Sequence, residues 1–324
     1  MALYTLSQNN HIKRYTVFFI MDGNNSLSAH GGTQLTQTEA LALPQAHGDT
    51  PLAALALPTP TQTKWQSNSN GVSSQTNIVL FDQAPQQQTP LSRDTVKRLI
   101  KDVREITKTP LTSHGIYYHH SKDDILIGQA MIIGPSDTPY EQGYYFFEFK
   151  FPEDYPHKPP VVKYYTNDGI TRFNPNLYKS GKVCVSVLNT WKGDQWTGCQ
   201  SISSILLVLC TLLNKTPLLN EPGITERHSD FHSYHKIVTC MNYKVAIVQM
   251  AKSEIIKKKF PELYDIMIDN FLSNYGKIME LFDKNYRKNP ERKFITTSVY
   301  NMMVVVDYSA VRNELVDLYT ILKK

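Results

Sequence analysis

The sequence is poor in cysteine, and this shortage excludes one class of protein. The 324 residues include only four cysteines, and no two of them form a Cys-x-x-Cys pair. A chain of this length can bury a sizeable core without disulfides. We therefore expect neither a disulfide-built scaffold nor a metal centre, and a reducing cytoplasmic or nuclear location fits the composition.

Long hydrophobic runs and blocks of one charge are also missing. The apolar stretch 15–21 is too short to span a bilayer, and no small-residue cleavage site follows it, so we expect no membrane segment and no secretion. The net charge of +5 is modest and spread along the chain, which gives little support to nucleic-acid binding. No Gly-x-x-x-x-Gly-Lys pattern is present, so we expect no ATP use by this chain and no cofactor.

Composition divides the chain into three parts. Residues 1–88 are rich in Gln, Asn, Ser, Thr, Pro and Ala, which predicts a flexible or partly ordered N-terminal extension. Within it, the apolar patches 15–21 and 78–81 could pair as strands or dock onto the main domain. We assign residues 89–258 to a core domain and residues 259–324 to a mostly helical C-terminal extension.

The core carries the pattern of an α+β domain. A helix is predicted at 92–107, with Ser92 as its N-cap and apolar residues along one stripe. Apolar residues almost all round residues 201–213 predict a buried core helix. Segments rich in β-branched and aromatic residues predict an antiparallel meander of four strands at 115–119, 125–133, 144–151 and 161–165. Residues 234–258, 263–286 and 310–322 look helical, and residues 294–306 are ambiguous.

Cys184 is the candidate nucleophile. A thiol is the best acyl acceptor among side chains, and Cys184 follows the turn-rich loop Asn174-Pro175-Asn176, which Pro175 would stiffen. An amide near a thiol could donate a hydrogen bond to a developing oxyanion, so the pair suggests acyl transfer through a thioester. The alternative is a buried core thiol, because residues 183–188 read as a strand.

The motifs around Cys184 resemble the ubiquitin-conjugating enzymes in order and spacing. Beside the first helix and the Asn174-Pro175-Asn176 loop, the matching blocks are Gly134-Pro135, Thr138-Pro139-Tyr140-Glu141-Gln142-Gly143-Tyr144, Tyr155-Pro156-His157-Lys158-Pro159-Pro160, Gln195-Trp196 and residues 201–207. Within the family the likeness is closest to the large Z-type enzymes, which share a long C-terminal extension and the motifs Arg172-Phe173-Asn174-Pro175-Asn176, Thr190-Trp191 and Asn220-Glu221-Pro222-Gly223.

The resemblance implies a fold and an activity. The fold would be a ubiquitin-conjugating core of an N-terminal helix, a four-stranded antiparallel meander, a core helix and C-terminal helices, with extensions at both ends. Cys184 would accept ubiquitin or a ubiquitin-like modifier as a thioester from the activating enzyme, which uses the ATP. The modifier would then pass to a lysine of a substrate protein, with a ubiquitin ligase as a further partner.

The resemblance also assigns roles to residues near Cys184. Asn176 holds the position of the asparagine that orders the loop and supports the transition state, and Asn174 stands where most members carry a structural histidine. Asn220 and Glu221 fall where the family places an acidic or hydroxyl residue that helps the lysine amine, of pKa about 10.4, to lose its proton. A solvated loop carboxylate is the alternative for Glu221. Trp196, with Pro175, would pack beside the active-site groove, and core packing is the alternative for Trp196.

Two surfaces are candidates for partner binding. One face of the first helix is basic, which by itself indicates only a solvated face, but in the family it meets the activating enzyme; its residues are Arg93, Lys97, Lys101 and Arg104. His157, Thr197 and Gly198 stand at ligase-contacting positions, where most ligase-binding members carry an apolar or aromatic residue and a Ser-Pro-Ala turn. Because of these departures, the sequence does not establish whether the usual ligases bind this chain.

Three functions compete for this sequence. The first is a ubiquitin-conjugating enzyme, and the second is a non-catalytic ubiquitin- or ligase-binding module with the same fold. Inactive relatives generally lack the cysteine, which favours the enzyme. A thiol hydrolase would need a histidine base for Cys184, and the histidine closest in sequence, His157, already belongs to the Tyr-Pro-x-x-Pro-Pro segment. His228, His232 and His235 have a spacing suited to a metal, but polar loop histidines are commoner.

Overall fold

The computed structural model describes residues 2–6, 13–17 and 91–324. The two N-terminal segments form an antiparallel pair of strands, β1 (Ala2–Leu6) and β2 (Lys13–Val17). Strand β2 therefore includes the start of the apolar patch 15–21. The second patch, 78–81, and most of the predicted extension 1–88 lie outside the described residues.

The first helix of the core, α1 (Arg93–Lys108), begins where the sequence predicts. The Ser92 hydroxyl oxygen accepts a hydrogen bond of 3.0 Å from the backbone N–H of Thr95. This N-cap satisfies one of the backbone donors that the first turn of a helix leaves without a partner. The stripe of apolar side chains is buried, with Leu99 fully inaccessible to solvent.

Four strands form the antiparallel meander that the sequence predicts. They follow one another in chain order across the sheet, and every neighbouring pair is antiparallel. Phe147 lies in the middle of the sheet, paired with Ala130 on one side and with Tyr164 on the other. The strands are β3 (Ile116–His120), β4 (Ile127–Ile133), β5 (Tyr144–Lys150) and β6 (Val161–Tyr164).

Strand β5 is buried on both faces. On one face, Tyr145 packs edge-on against Phe173, with 6.0 Å between the ring centroids. On the other face, the Phe146 ring lies 5.2 Å from the ring of Phe260, and Glu148 forms an ion pair of 2.5 Å with Lys259. The sequence alternation gives β5 one wholly aromatic face, which includes Tyr145, and one partly polar face, which includes Phe146 and Glu148. This alternation predicts a helix against the aromatic face, whereas in the structure the partly polar face is covered as well.

The core helix α2 (Ile202–Leu212) starts with a capping box. The Ser201 hydroxyl accepts from the backbone N–H of Ser204, and the Ser204 hydroxyl accepts from the backbone N–H of Ser201. This reciprocal arrangement satisfies two donors at the helix start. The helix is less enclosed than its composition suggests, because Leu207 is 40% exposed.

The segment predicted as a single helix at 234–258 is divided. Helix α3 (Phe231–Met241) continues as a wider π-helical segment, Asn242–Gln249, and a short turn, α4 (Met250–Lys252). The backbone then leaves the helical region at Ser253, whose side chain caps the next helix, α5 (Glu254–Lys259). Apolar residues continue at helical spacing across this break, so the periodicity alone does not reveal it.

The rest of the chain forms a long helix, a hairpin and a final helix. Pro261 occupies the first turn of α6 (Pro261–Lys288), where a backbone N–H would have no partner within the helix. The ambiguous segment 294–306 is an antiparallel hairpin of β7 (Lys293–Thr297) and β8 (Met302–Val306), and α7 (Tyr308–Leu322) follows it. The division between a core ending at 258 and an extension starting at 259 stays a prediction. None of the helices in the described ranges has both the length and the apolar character needed to cross a bilayer.

We expect Phe260→Ala to lower the free energy of unfolding by about 3–5 kcal/mol, because it leaves a cavity between the sheet and the helices that cover it. Phe260 is 0% exposed and contacts both Phe146 and Tyr165. Phe294→Ala is the matched control, because Phe294 is 65% exposed and should change stability by about 0.5 kcal/mol or less. Denaturant unfolding measures both, and equal losses would contradict this packing.

Candidate active site

Cys184 lies in a loop and not in a strand. The predicted strand 183–188 is absent: Val183 makes only an isolated bridge to Leu177, and a short 3₁₀ turn follows at Ser186–Leu188. The backbone N–H of Cys184 donates to the Asn176 carbonyl at 2.9 Å, and the Asn176 side-chain amide donates to the Cys184 carbonyl at 2.7 Å. This reciprocal pair holds the backbone of Cys184 in place, which is the loop-ordering role that the resemblance implies for Asn176.

Asn174 anchors the same loop from the protein interior. It is 0% exposed, and its amide nitrogen donates to the Leu212 carbonyl at 2.7 Å and to the Tyr140 hydroxyl at 3.2 Å. Its amide oxygen accepts from the backbone N–H of Asn176 at 2.9 Å and from the Asn220 side chain at 3.4 Å. Asn174 is therefore a buried residue that joins this loop to its neighbouring segments.

The thiol of Cys184 is held by Thr190. The sulfur donates to the Thr190 carbonyl at 2.9 Å, and the Thr190 hydroxyl accepts from the backbone N–H of Val185, also at 2.9 Å. Cys184 is only 3% exposed, so neighbouring groups cover almost all of its side chain. Thr190 belongs to the Thr190-Trp191 motif, but the motif by itself does not predict this contact with the thiol.

A cleft of about 260 Å³ brings the predicted catalytic residues together. All four of them line it, Asn176, Cys184, Asn220 and Glu221, together with Pro175, which was predicted to pack beside the groove. A wider depression of about 770 Å³ adjoins it, because both are lined by Trp191, Glu221 and Pro222. Trp191, 45% exposed, thus lies where the two meet. Cys184 therefore borders a surface channel in spite of its low exposure.

Glu221 is bound by a residue that the sequence analysis missed. The Tyr300 hydroxyl donates to one carboxylate oxygen of Glu221, and Tyr300 also lines the cleft. Burial, followed by the hydrogen bond to Glu221, raises the pKa of Tyr300 above its ordinary value. The phenol therefore stays protonated and acts as a donor. Tyr300 belongs to the turn of the β7–β8 hairpin, in the segment whose sequence was ambiguous.

Trp196 lies away from the cleft of Cys184. It is 7% exposed, its indole nitrogen donates to the Pro156 carbonyl at 2.7 Å, and its ring packs against Tyr155 at 5.8 Å. These contacts correspond to the core-packing alternative. Trp191, and not Trp196, is the tryptophan that borders the cleft.

Four basic residues of α1 that the sequence singles out share one exposed face. Arg93, Lys97, Lys101 and Arg104 are all exposed. A fifth basic residue of the helix, Arg98, turns away from them, because it forms an ion pair with Asp102 at 2.9 Å and donates to the carbonyls of Gly198 and Gln200. The four exposed residues form no ion pair within the described part of the chain, whereas Arg98 joins α1 to the loop before α2.

The predicted ligase-contacting residues lie on neighbouring loops. His157, Thr197 and Gly198 are all exposed. The bond from Trp196 to Pro156 ties together the two segments that carry them, so the three residues belong to one region of the surface.

The histidines at helical spacing have other surroundings. The His228 ring accepts a hydrogen bond from the backbone N–H of Asp230 at 3.1 Å. Burial, and then the charges of His232 and Lys288, lowers the pKa of His235. Across the described ranges, no three His, Cys, Asp or Glu side chains gather in a way that could hold a metal ion.

Comparison with known proteins agrees with the fold and the cleft. A family model described as ubiquitin-conjugating enzyme matches residues 98–240, a range that contains the sheet, Asn176, Cys184 and Glu221. The match defines the class that this part of the chain resembles: residues 98–240 are similar to the ubiquitin-conjugating enzymes.

Its relatives include several proteins named ubiquitin-conjugating enzyme E2 Z. The one from Xenopus tropicalis is 39% identical over 186 residues, which are 54% of this chain and 59% of the relative. The one from Danio rerio is 39% identical over 57% of this chain and 56% of the relative. The human protein is 39% identical over 52% of this chain and 50% of its own length. The chain thus spans little more than half the length of the relatives that it matches.

We expect Thr190→Val to raise the rate of Cys184 alkylation by iodoacetamide about tenfold, because it leaves the buried N–H of Val185 without its acceptor and loosens the loop. Thr190→Ser keeps the hydroxyl and should react like the parent chain. Peptide mass spectrometry distinguishes Cys184 from the exposed Cys199. If Thr190→Val and Thr190→Ser react at the same rate, the hydroxyl does not order this loop.

Proposed function

We propose that the chain is a ubiquitin-conjugating enzyme that accepts ubiquitin, or a ubiquitin-like modifier, on Cys184 and transfers it to a substrate lysine. The observation that carries this proposal is the cleft that Cys184, Asn176 and Glu221 line together. A nucleophile, an amide donor and a carboxylate on one cleft are the groups that transfer of an acyl chain to an amine requires.

The first step would be a transfer between two thiols. The Cys184 sulfur attacks the carbonyl carbon of the thioester that joins the modifier to the activating enzyme, and the thiolate of the activating enzyme leaves. The Cys184 proton, which now lies on the bond to the Thr190 carbonyl, passes to the leaving thiolate or to water. The thioester arrives already formed, so the ATP is consumed by the activating enzyme.

The second step would form the amide bond. A lysine amine attacks the thioester carbon, the bond to the Cys184 sulfur breaks, and one amine proton leaves. Glu221 stands on the same cleft to take up or orient that proton. The Asn176 amide already donates to the Cys184 carbonyl, and a second N–H of the same amide group could serve the oxyanion that develops on the thioester carbonyl.

The protein partners follow from the same scheme. The exposed basic face of Arg93, Lys97, Lys101 and Arg104 would receive the activating enzyme, because long-range charge attraction favours encounter with an acidic surface. The loops with His157, Thr197 and Gly198 would receive a ligase. Their departure from the usual ligase-contacting residues suggests a ligase of different preference. A cytoplasmic or nuclear setting, where these partners act, completes the proposal.

We expect Cys184→Ala to abolish a reductant-sensitive adduct between the chain and the modifier. The assay combines the chain, ATP, an activating enzyme and either ubiquitin or a ubiquitin-like modifier, and compares gels with and without reductant. Cys199→Ser is the matched control, because Cys199 is exposed but does not line the cleft, and its adduct should persist. An adduct that survives in Cys184→Ala would place the nucleophile elsewhere. No adduct with any modifier would favour the non-catalytic binding module.

We expect Glu221→Ala to slow transfer to free lysine roughly 10²-fold, the lower range for loss of a general base, while adduct formation on Cys184 stays at the parent level. Single-turnover loss of a preformed adduct measures this rate. Glu221→Gln keeps the shape and the acceptor for Tyr300 but loses the charge, so it should be nearly as slow. Parent-like rates in both variants would show that Glu221 is an ordinary solvated carboxylate.

A further inference from the structure

The β7–β8 hairpin places its turn in the cleft of Cys184. The turn holds Tyr300 and Asn301 in the left-handed region, with φ of 65° and 47°, a conformation that costs residues other than glycine roughly 1 kcal/mol or more each. A turn that merely joined two strands could avoid this cost with glycine. The backbone strain is therefore a feature that the surrounding contacts maintain.

Several contacts hold this turn in position. One carboxylate oxygen of Asp230 accepts from the Ser298 hydroxyl at 2.6 Å and from the backbone N–H of Val299 at 2.9 Å. Burial by itself would raise the pKa of Asp230, but these hydrogen bonds lower the pKa below its ordinary value. The carboxylate therefore stays charged and continues to accept both hydrogen bonds. On the other side, the Lys179 ammonium donates to the Tyr300 carbonyl at 3.2 Å. The turn is thus tied both to the start of α3 and to the loop before Cys184.

The ring of Tyr300 joins the loop that carries Asn176. The Arg172 guanidinium lies between two rings, 4.6 Å from the centroid of Tyr300 and 3.5 Å from that of Tyr178. Arg172 in turn donates to the carbonyls of Asn174 and Pro175. The stacked cation therefore connects the hairpin turn to the backbone of the loop that orders Cys184.

The hydroxyl of Tyr300 fixes Glu221. It donates to one carboxylate oxygen, and among the described residues none donates to the other oxygen. Glu221 is partly exposed, so without this bond its side chain would be free to turn among rotamers. With it, one oxygen is occupied and the second is left for an incoming amine.

We propose that Tyr300 is a positioning residue for lysine transfer, which acts by holding the Glu221 carboxylate in the cleft of Cys184. This inference rests on the proposed function of Cys184 and Glu221 and adds the C-terminal hairpin to the active site. The competing view is that Tyr300 only docks the hairpin, through its ring on Arg172. Tyr300→Phe separates the two views, because it keeps the ring and removes only the hydroxyl.

The test is single-turnover discharge of a preformed ubiquitin adduct on the full chain, measured over a range of free lysine concentrations. We expect Tyr300→Phe to reach the parent level of adduct and to lower the maximal discharge rate about 3- to 10-fold, which is less than the loss of Glu221 itself, because the carboxylate keeps its charge and loses only its fixed position. In a Glu221→Gln background the same change should have no further effect, because the group that Tyr300 positions has lost its charge.

The controls separate this inference from the proposed function. Met303→Ala changes an exposed side chain of the same hairpin, 65% exposed, and should discharge at the parent rate. Parent-like or faster discharge in Tyr300→Phe, or an equal loss in the Glu221→Gln background, overturns the inference alone. A parent chain that forms no adduct with any modifier overturns the proposed function and, with it, this inference. A thermal melt of Tyr300→Phe that matches the parent verifies that the fold is intact.

Discussion

The buried amide of Asn174 is the constraint on which the site depends. An asparagine side chain offers two donors and two acceptor positions, and Asn174 uses all four without exposure to solvent. Its partners belong to four different segments: the loop before β5, the end of α2, the loop that precedes Cys184, and the loop of Glu221. An unsatisfied amide at this depth would cost about 1–3 kcal/mol per missing bond, so the four segments are held in one arrangement.

The C-terminal part of the chain takes part in both the core and the site. Phe260 and Lys259 cover the second face of the sheet, and Tyr300 reaches the cleft. The contact of Phe260 with the sheet buries apolar surface and so contributes stability. The contacts of Tyr300 in the cleft are instead with polar partners, a loop carboxylate and an arginine. A segment joined to the fold by a large apolar contact can present a strained turn to the cleft, because the packing offsets the cost of the strain.

The parts of this structure that depend on local sequence could be predicted. The Ser92 cap and the four strands, which are rich in β-branched and aromatic residues, follow from rules that act over a few residues. The break at Ser253 could not be predicted, because the apolar spacing continues through it. The roles of Thr190 and Tyr300 could not be predicted either, since one depends on how a loop closes and the other on where a distant hairpin docks. Asn176 and Glu221 lie in recognisable sequence motifs, and both line the cleft.

The four thiols differ in their burial and in the groups that surround them. Burial, the largest influence, raises the pKa of Cys240 to about 12, and burial also raises the pKa of Cys210, so neither is poised to form a thiolate. Cys199 is exposed but does not line the cleft that holds a carboxylate and an ordered amide. Cys184 has those neighbours, and its thiol is engaged with the Thr190 carbonyl. Because Asn176 holds the backbone of Cys184 separately, the bond from the thiol to Thr190 could break without displacing the backbone of Cys184.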